Sequence, residues 1–162
     1  QKQRNRGQDG AGLATIKLDP KPGEKYISRK RSVATNYLDD LFDQIYYHFN
    51  KLKDFQQDAK WLKDNKPYMG ELLLGHLRYG THSDNSIETC HPFLRQNNWI
   101  SRNLLLAGNF NLTNVDELFQ ELVELGQYPK EKSDTVTVLE KIGHFLDDEV
   151  QRLHTWYKPD GH

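Results

Sequence analysis

Apolar positions along the chain change period several times, and each change marks an expected element. Residues 10–18 (GAGLATIKL) are rich in small and β-branched side chains and run into the turn-forming stretch DPKPGE at 19–24. KYISRK then resumes an extended pattern, so a hairpin is expected. From Asn36 the step lengthens to three and four residues. Leu38, Leu41, Phe42, Ile45, Tyr46, Phe49 and Leu52 define one apolar face of a helix over 36–52. Residues 51–68 are highly charged and contain Pro67, which reads as a helix end and a surface connection, with Trp61 and Leu62 as anchors.

Two short apolar runs, 71–79 (ELLLGHLRY) and 104–110 (LLLAGNF), are bounded by glycine and polar residues, as expected of buried strands. Between them lies the irregular THSDNSIETCHPFLRQNN. Asn114 is placed to cap a helix, with Glu117 completing a capping-box arrangement and Gly126 stopping it. A last helix starts at Ser133 and directs Val136, Leu139, Ile142, Leu146, Val150 and Leu153 inward. Strands, helix, strands, then helices, without strict βαβ alternation, give an α+β class rather than a doubly wound parallel sheet.

Length and charge narrow the function. The 162 residues suit one domain with one core, and a net charge of -1 offers no electrostatic footprint for nucleic acid. The basic run SRKRS at 28–32 reads as a solvated strand end. A single cysteine, Cys90, excludes an intrachain disulfide framework and fits a reducing, cytoplasmic compartment. No apolar stretch approaches the roughly 20 residues that span a bilayer, so no membrane partner is expected. The opening QKQRNRGQDG resembles neither a signal peptide nor a natural start, and the chain is expected to be a piece of a longer protein.

Four polar motifs stand at the ends of the expected elements: RGQDGAG at 6–12, GHLRYGTH at 75–82, AGNFNLTN at 107–114 and KSDT at 132–135. A strand ending in Arg78, Thr81 and His82 exposes a guanidinium, a hydroxyl and an imidazole at a sheet edge. Recognising a free amino acid requires a cation for its carboxylate and an anion for its ammonium, and Arg78 and Asp134 supply these. Acyl transfer also needs donors for an oxyanion, for which the Asn109 amide and the Phe110 N–H are the candidate pair. Arg6 and Asp9 are placed to order the glycine-rich turn.

These motifs, in this order, resemble class II glutamine amidotransferases. RGQDGAG is similar to the early motif of the amidophosphoribosyltransferases, and GHLRY with the following Thr81 resembles the glycine-histidine-x-arginine strand of the class. AGNFNLTN and KSDT resemble its asparagine-bearing oxyanion motif and its aspartate motif, while Thr81-His82 and His91-Pro92 also resemble the sugar-phosphate aminotransferase branch. The resemblance implies an N-terminal-nucleophile hydrolase fold, a four-layer αββα sandwich with antiparallel sheets, incomplete in this chain. It implies a partial glutaminase domain over 1–162 that hydrolyses glutamine to glutamate and ammonia. Arg78 grips the α-carboxylate, Asp134 the α-amino group, Thr81 and His82 line the pocket, and Asn109 with Phe110 forms the oxyanion hole.

The implied partners are glutamine and an ammonia-accepting synthase domain, with homo-oligomerisation left open. The product would enter the first step of purine biosynthesis. No cofactor or metal is implied for this domain, whereas Mg and phosphoribosyl pyrophosphate belong to a second domain absent from the chain. Two departures stand out. The family attacks with an N-terminal cysteine where this chain has Gln1, so the chain by itself is expected to be inactive. Phe110 stands where the family has glycine; if that glycine uses positive φ or permits close approach, Phe110 is strained or narrows the pocket.

Other readings of the same residues remain. Arg78 and Asp134 also suit an ion pair, and Asn111 and Asn114 suit turns and caps. His76, His82 and His91 lack a recognised zinc spacing, and Cys90-His91, as sequence neighbours, make a poor catalytic dyad. A non-catalytic glutamine-binding or interaction domain of the same fold is the alternative function. An assembly role for Tyr46, Tyr47 and Phe49 is a third.

Overall fold

The computed structural model describes residues 7–50, 52–53, 58–80 and 86–158. Two compact units divide the chain, residues 1–92 and residues 93–162.

The first unit is built on strand β1 (Gly10–Ile16), which pairs antiparallel with β2 (Ile27–Ser32) on one side and β3 (Leu72–Arg78) on the other. The expected hairpin is present. Asp19 and Gly23 take positive φ in its turn, and the N–H of Lys17 donates to the Tyr26 carbonyl at 2.8 Å to extend the ladder. Small residues let β1 be covered on both faces, and Ala11 and Ala14 are fully buried. Helix α1 (Tyr37–Tyr46) packs Tyr37, Leu41 and Ile45 onto Ala11, with Leu13, Leu38, Phe49, Tyr68 and Leu77 around them.

The helix is shorter than its sequence pattern. After Tyr46 the N–H groups of His48 and Phe49 bond three residues back, which tightens the chain out of α geometry. Phe42 and Tyr46, expected inward, are 40% and 59% exposed and stack on each other. The core takes a narrow i, i+4 stripe through Tyr37, Leu41 and Ile45, narrower than the seven-residue face read from periodicity.

Within the stretch read as a surface connection lies a short helix, α2 (Ala59–Asn65), capped by Asp58, whose carboxylate accepts the Trp61 N–H at 2.9 Å. Glu71 joins α2 to the sheet by pairing with Lys63 and accepting the N–H of Leu18. The strand expected after it is found, but not buried as expected. Among the described residues β3 lies at the sheet's edge, bonded to β1 alone, and Leu72 and Leu73 are 51% and 66% exposed.

In the second unit β4 (Phe93–Arg95) and β5 (Leu104–Leu106) form a short antiparallel pair. β5 ends at Leu106 rather than at Phe110. Helix α3 (Val115–Glu124) begins after Asn114, as expected, but the Asn114 side chain makes no capping bond. Its far end closes as expected: Gly126 has φ +82, its N–H donates to the Val123 carbonyl, and the Gln127 N–H donates to that of Leu122. Helix α4 (Asp134–Tyr157) follows Ser133, whose hydroxyl accepts the Val136 N–H.

The buried face of α4 is Thr135, Thr137, Leu139 and Gly143, whereas Ile142 and Leu153, expected inward, are 42% and 40% exposed. Arg95 of β4 lies across Gly143. Its Nε donates to Glu140 at 3.0 Å, and its two terminal nitrogens reach Asp147 at 3.1 and 2.6 Å. A long polar side chain therefore occupies the helix face that hydrophobic periodicity assigned to aliphatics. The architecture is α+β with antiparallel sheets, and no helix among the described residues is long and apolar enough to cross a membrane.

Candidate functional site

In the first unit the RGQDGAG motif runs into β1 and is held at Gly7 and Asp9. Arg6 lies outside the described residues. The Tyr37 hydroxyl donates to the Gly7 carbonyl at 2.6 Å, and a Cβ on Gly7 would stand 2.5 Å from that of Leu77. The N–H of Asp9 donates to the Arg78 carbonyl at 3.1 Å, while its carboxylate accepts the Gly80 N–H at 2.7 Å. The motif's glycines thus allow close backbone approach; from Gly10 onward they lie in β1 rather than in the tight turn expected of them, and Asp9 holds the 78–80 segment instead of its own turn.

Arg78 ends β3 opposite Gly10. It is 5% exposed, so the guanidinium is buried rather than displayed at the sheet edge. Its Nη1 folds back to 3.3 Å from where a Cβ on Gly80 would stand, with the Asp9 carboxylate 3.4 Å from the same point. Thr81 and His82 lie outside the described residues.

Gly12 faces the 90–92 segment, where a Cβ would meet the His91 carbonyl and come within 2.9 Å of Pro92 Cδ. His91 lies against His76 with ring centroids 4.4 Å apart and the rings tilted by 55°. Burial holds His76 below its ordinary value and His91 down to about 4, with repulsion from His76, Arg31 and Arg78 adding to the latter. Cys90 is fully buried, its Sγ directed at the Ala11 carbonyl at 3.4 Å, and burial pushes its thiol up. That is a packing role, and the thiol is neither exposed nor activated. Among the described residues no three histidine, cysteine or carboxylate side chains converge as a metal would need.

Two basic residues read as a solvated strand end have a structural task. Arg29 donates to the Pro92 carbonyl at 3.1 Å, and Arg31 to the carbonyls of Cys90 and Glu88 at 2.8 and 3.3 Å. Their two-residue spacing on a strand places both on one face, a signal that the SRKRS run itself carries.

In the second unit Asn109 is exposed and Phe110 half-buried in the loop after β5. Phe110 does not take positive φ, so the expected strain is absent. The close approach has moved to Gly108, where a Cβ would lie 2.6 Å from the Phe110 ring. Asp134 opens α4 as expected, and its carboxylate accepts the N–H of Leu112 at 2.9 Å, tying the asparagine-bearing loop to the helix start. The structure brings Asn109, Phe110 and Asp134 into one unit and Arg78 with Asp9 into the other.

Comparison with known proteins finds similarity to the same enzymes that the motifs resemble. The chain is 29% identical over 153 residues to an amidophosphoribosyltransferase of Bacillus subtilis, covering 91% of this chain and 26% of that protein. It is 26% identical over 145 residues to the amidophosphoribosyltransferase of Archaeoglobus fulgidus, covering 90% of this chain and 25% of the relative. A glutamine–fructose-6-phosphate aminotransferase of Sulfolobus acidocaldarius is 26% identical over 145 residues, 87% of this chain and 23% of that protein. The chain spans about a quarter of the length of these relatives, which fits a partial glutamine amidotransferase domain. No family model and no solved structure matches.

Proposed function

We propose that this chain is the glutamine-handling part of a class II glutamine amidotransferase, of the N-terminal-nucleophile hydrolase type with a four-layer αββα arrangement. The observation that carries the reading is similarity to amidophosphoribosyltransferases over about nine-tenths of the chain, together with the four motifs in order. Arg78 takes the α-carboxylate of glutamine and Asp134 its α-ammonium. Asn109 and the Phe110 N–H face the oxyanion, and Thr81 and His82 line the pocket. A guanidinium held at a strand end suits a planar carboxylate because it presents paired donors.

In the hydrolysis a nucleophile attacks the amide carbonyl carbon. Collapse of the oxyanion breaks the C–N bond as the nitrogen takes up the nucleophile's proton and leaves as ammonia, and water then cleaves the acyl intermediate to glutamate. In the whole protein this ammonia passes to a synthase domain, and phosphoribosyl pyrophosphate is the acceptor by analogy with most of the relatives. Mg and that acceptor are assigned to no residue here, and assembly into homo-oligomers belongs to the same proposal. The setting is cytoplasmic.

The 162 residues contain one thiol, and it is the buried Cys90. This favours a second reading for the polypeptide by itself, a glutamine-binding or interaction domain without turnover. Calorimetric titration with L-glutamine tests the binding that both share; no heat at millimolar glutamine rejects it and leaves an interaction domain. Ammonia release from glutamine by this chain is expected to equal the blank, and release well above it would overturn the assignment of Cys90 to packing.

A further inference from the structure

Asp9 does two things at once at the end of β3. The β1–β3 ladder closes at the Gly10–Arg78 pair, and one residue further on the Asp9 N–H donates to the Arg78 carbonyl. Its carboxylate then accepts the Gly80 N–H, a donor that the strand no longer satisfies. The backbone from Arg78 to Gly80 is thus held at both ends by one residue distant in sequence, 71 positions from Gly80.

The arginine side chain depends on that turn. Tyr79 and Gly80 are exposed, yet Arg78 between them and the sheet is 5% exposed. Nη1 lies 3.3 Å from where a Cβ at position 80 would stand, a tight contact, with the Asp9 carboxylate 3.4 Å from the same point. A long arginine stem loses much rotamer freedom when fixed in this way.

We infer that Asp9 is a positioning residue for Arg78: by clamping Gly80 it sets the turn over which the guanidinium folds, and so presents Arg78 pre-aimed to a ligand carboxylate. The ligand class rests on the proposed glutamine function, but the clamp does not. Asp9→Asn keeps an acceptor oxygen of the same shape for the Gly80 N–H, whereas Asp9→Ala removes it. Gly80→Ala leaves the acceptor and puts a methyl group 3.3 Å from Nη1, a contact tight enough that the guanidinium must give by a few tenths of an ångström.

The test follows the 162-residue chain by nuclear magnetic resonance. In the unaltered protein and in Asp9→Asn the Gly80 amide exchanges slowly and the Arg78 Nε–H gives a resolved signal. Asp9→Ala speeds Gly80 exchange about tenfold or more, as loss of one charge-assisted hydrogen bond implies. It also averages the Arg78 signal. If Asp9→Ala does not fold, Gly80→Ala decides, since it must shift the Arg78 signal. An Arg78 signal unchanged in whichever variant folds overturns the inference.

Titrations supply the functional arm. L-glutamine and glutaramate, which carry the carboxylate, should bind Asp9→Ala about tenfold more weakly. 4-Aminobutanamide, which lacks the carboxylate, should bind equally to both proteins. Equal weakening for all three ligands would also overturn the inference. If the unaltered chain binds none of them, the glutamine function falls, while the Gly80 and Arg78 signals still decide the role of Asp9.

Discussion

Replacing Gly143 with alanine should destabilise this protein, although alanine is the better helix former. In the middle of α4 the exchange by itself would gain about 1 kcal/mol of helix propensity. At this position a Cβ would stand 2.5 Å from Arg95 Cδ and 2.8 Å from its Cζ, so the guanidinium must leave. What it leaves is a fork on Asp147 and a bond to Glu140, with the three side chains 15%, 27% and 24% exposed.

That exposure lies between two limits. Solvated pairs contribute at most about 1 kcal/mol, and breaking a fully buried pair costs about 3–5 kcal/mol. A loss of about 2–3 kcal/mol is therefore expected, and subtracting the propensity gain leaves a net cost of about 1–2 kcal/mol. For a chain of this size that is a fall in Tm of about 4 °C. In an Arg95→Ala background there is nothing to displace, and Gly143→Ala should instead stabilise by about 1 kcal/mol. Urea denaturation of the four proteins in the cycle measures both signs. If Gly143→Ala stabilises equally with and without Arg95, the guanidinium does not lie across the helix and the reasoning fails.

Gly12→Ala forces its methyl against the His91 carbonyl and Pro92, backbone and ring that cannot swing aside, so a loss of about 1–3 kcal/mol in chemical denaturation is expected; wild-type stability would exclude that close approach. Ser133→Ala removes a capping acceptor and should cost about 1 kcal/mol, whereas Asn114→Ala, where no side-chain cap bond exists, should cost less than half of that. Equal costs in the two variants would contradict the observed caps. His91 titrates near its ordinary 6.5 when unfolded but about 4 when folded, so the unfolded chain binds the extra proton between these values. Stability is therefore full above about pH 6.5 and declines toward about pH 4, with buried His76 acting in the same direction. Urea midpoints across that range should show a shallower slope in His91→Gln, and an unchanged slope would refute the assignment.

Local chemistry in the chain determined much of this. The hairpin at 10–32, the start of α3 after Asn114, its stop at Gly126 and the Ser133 cap all depend on neighbours within a few residues, and all are found. The four motifs and the resemblance they carry were legible for the same reason, because each is a short run of residue types, and the proteins found similar include amidophosphoribosyltransferases. Asp134 opening α4 was also expected from the sequence and is observed, whereas Asp9, expected to order the glycine-rich turn, holds the distant Gly80.

What tertiary structure decided was which side of each element meets another. Periodicity named an apolar face on α1 and α4, but how much of it is buried depends on what lies opposite. For α1 this is a narrow sheet surface, and for α4 it includes Arg95 rather than aliphatics. A run of leucines signals a strand without saying whether it is central, so β3 turned out to be an exposed edge. The burial of Arg78, the anchoring of 88–92 by Arg29 and Arg31, and the folding of Phe110 over Gly108 involve partners or rotamers that sequence spacing does not specify. Contacts between residues far apart in the chain carry no local signal, and only the folded backbone brings them together.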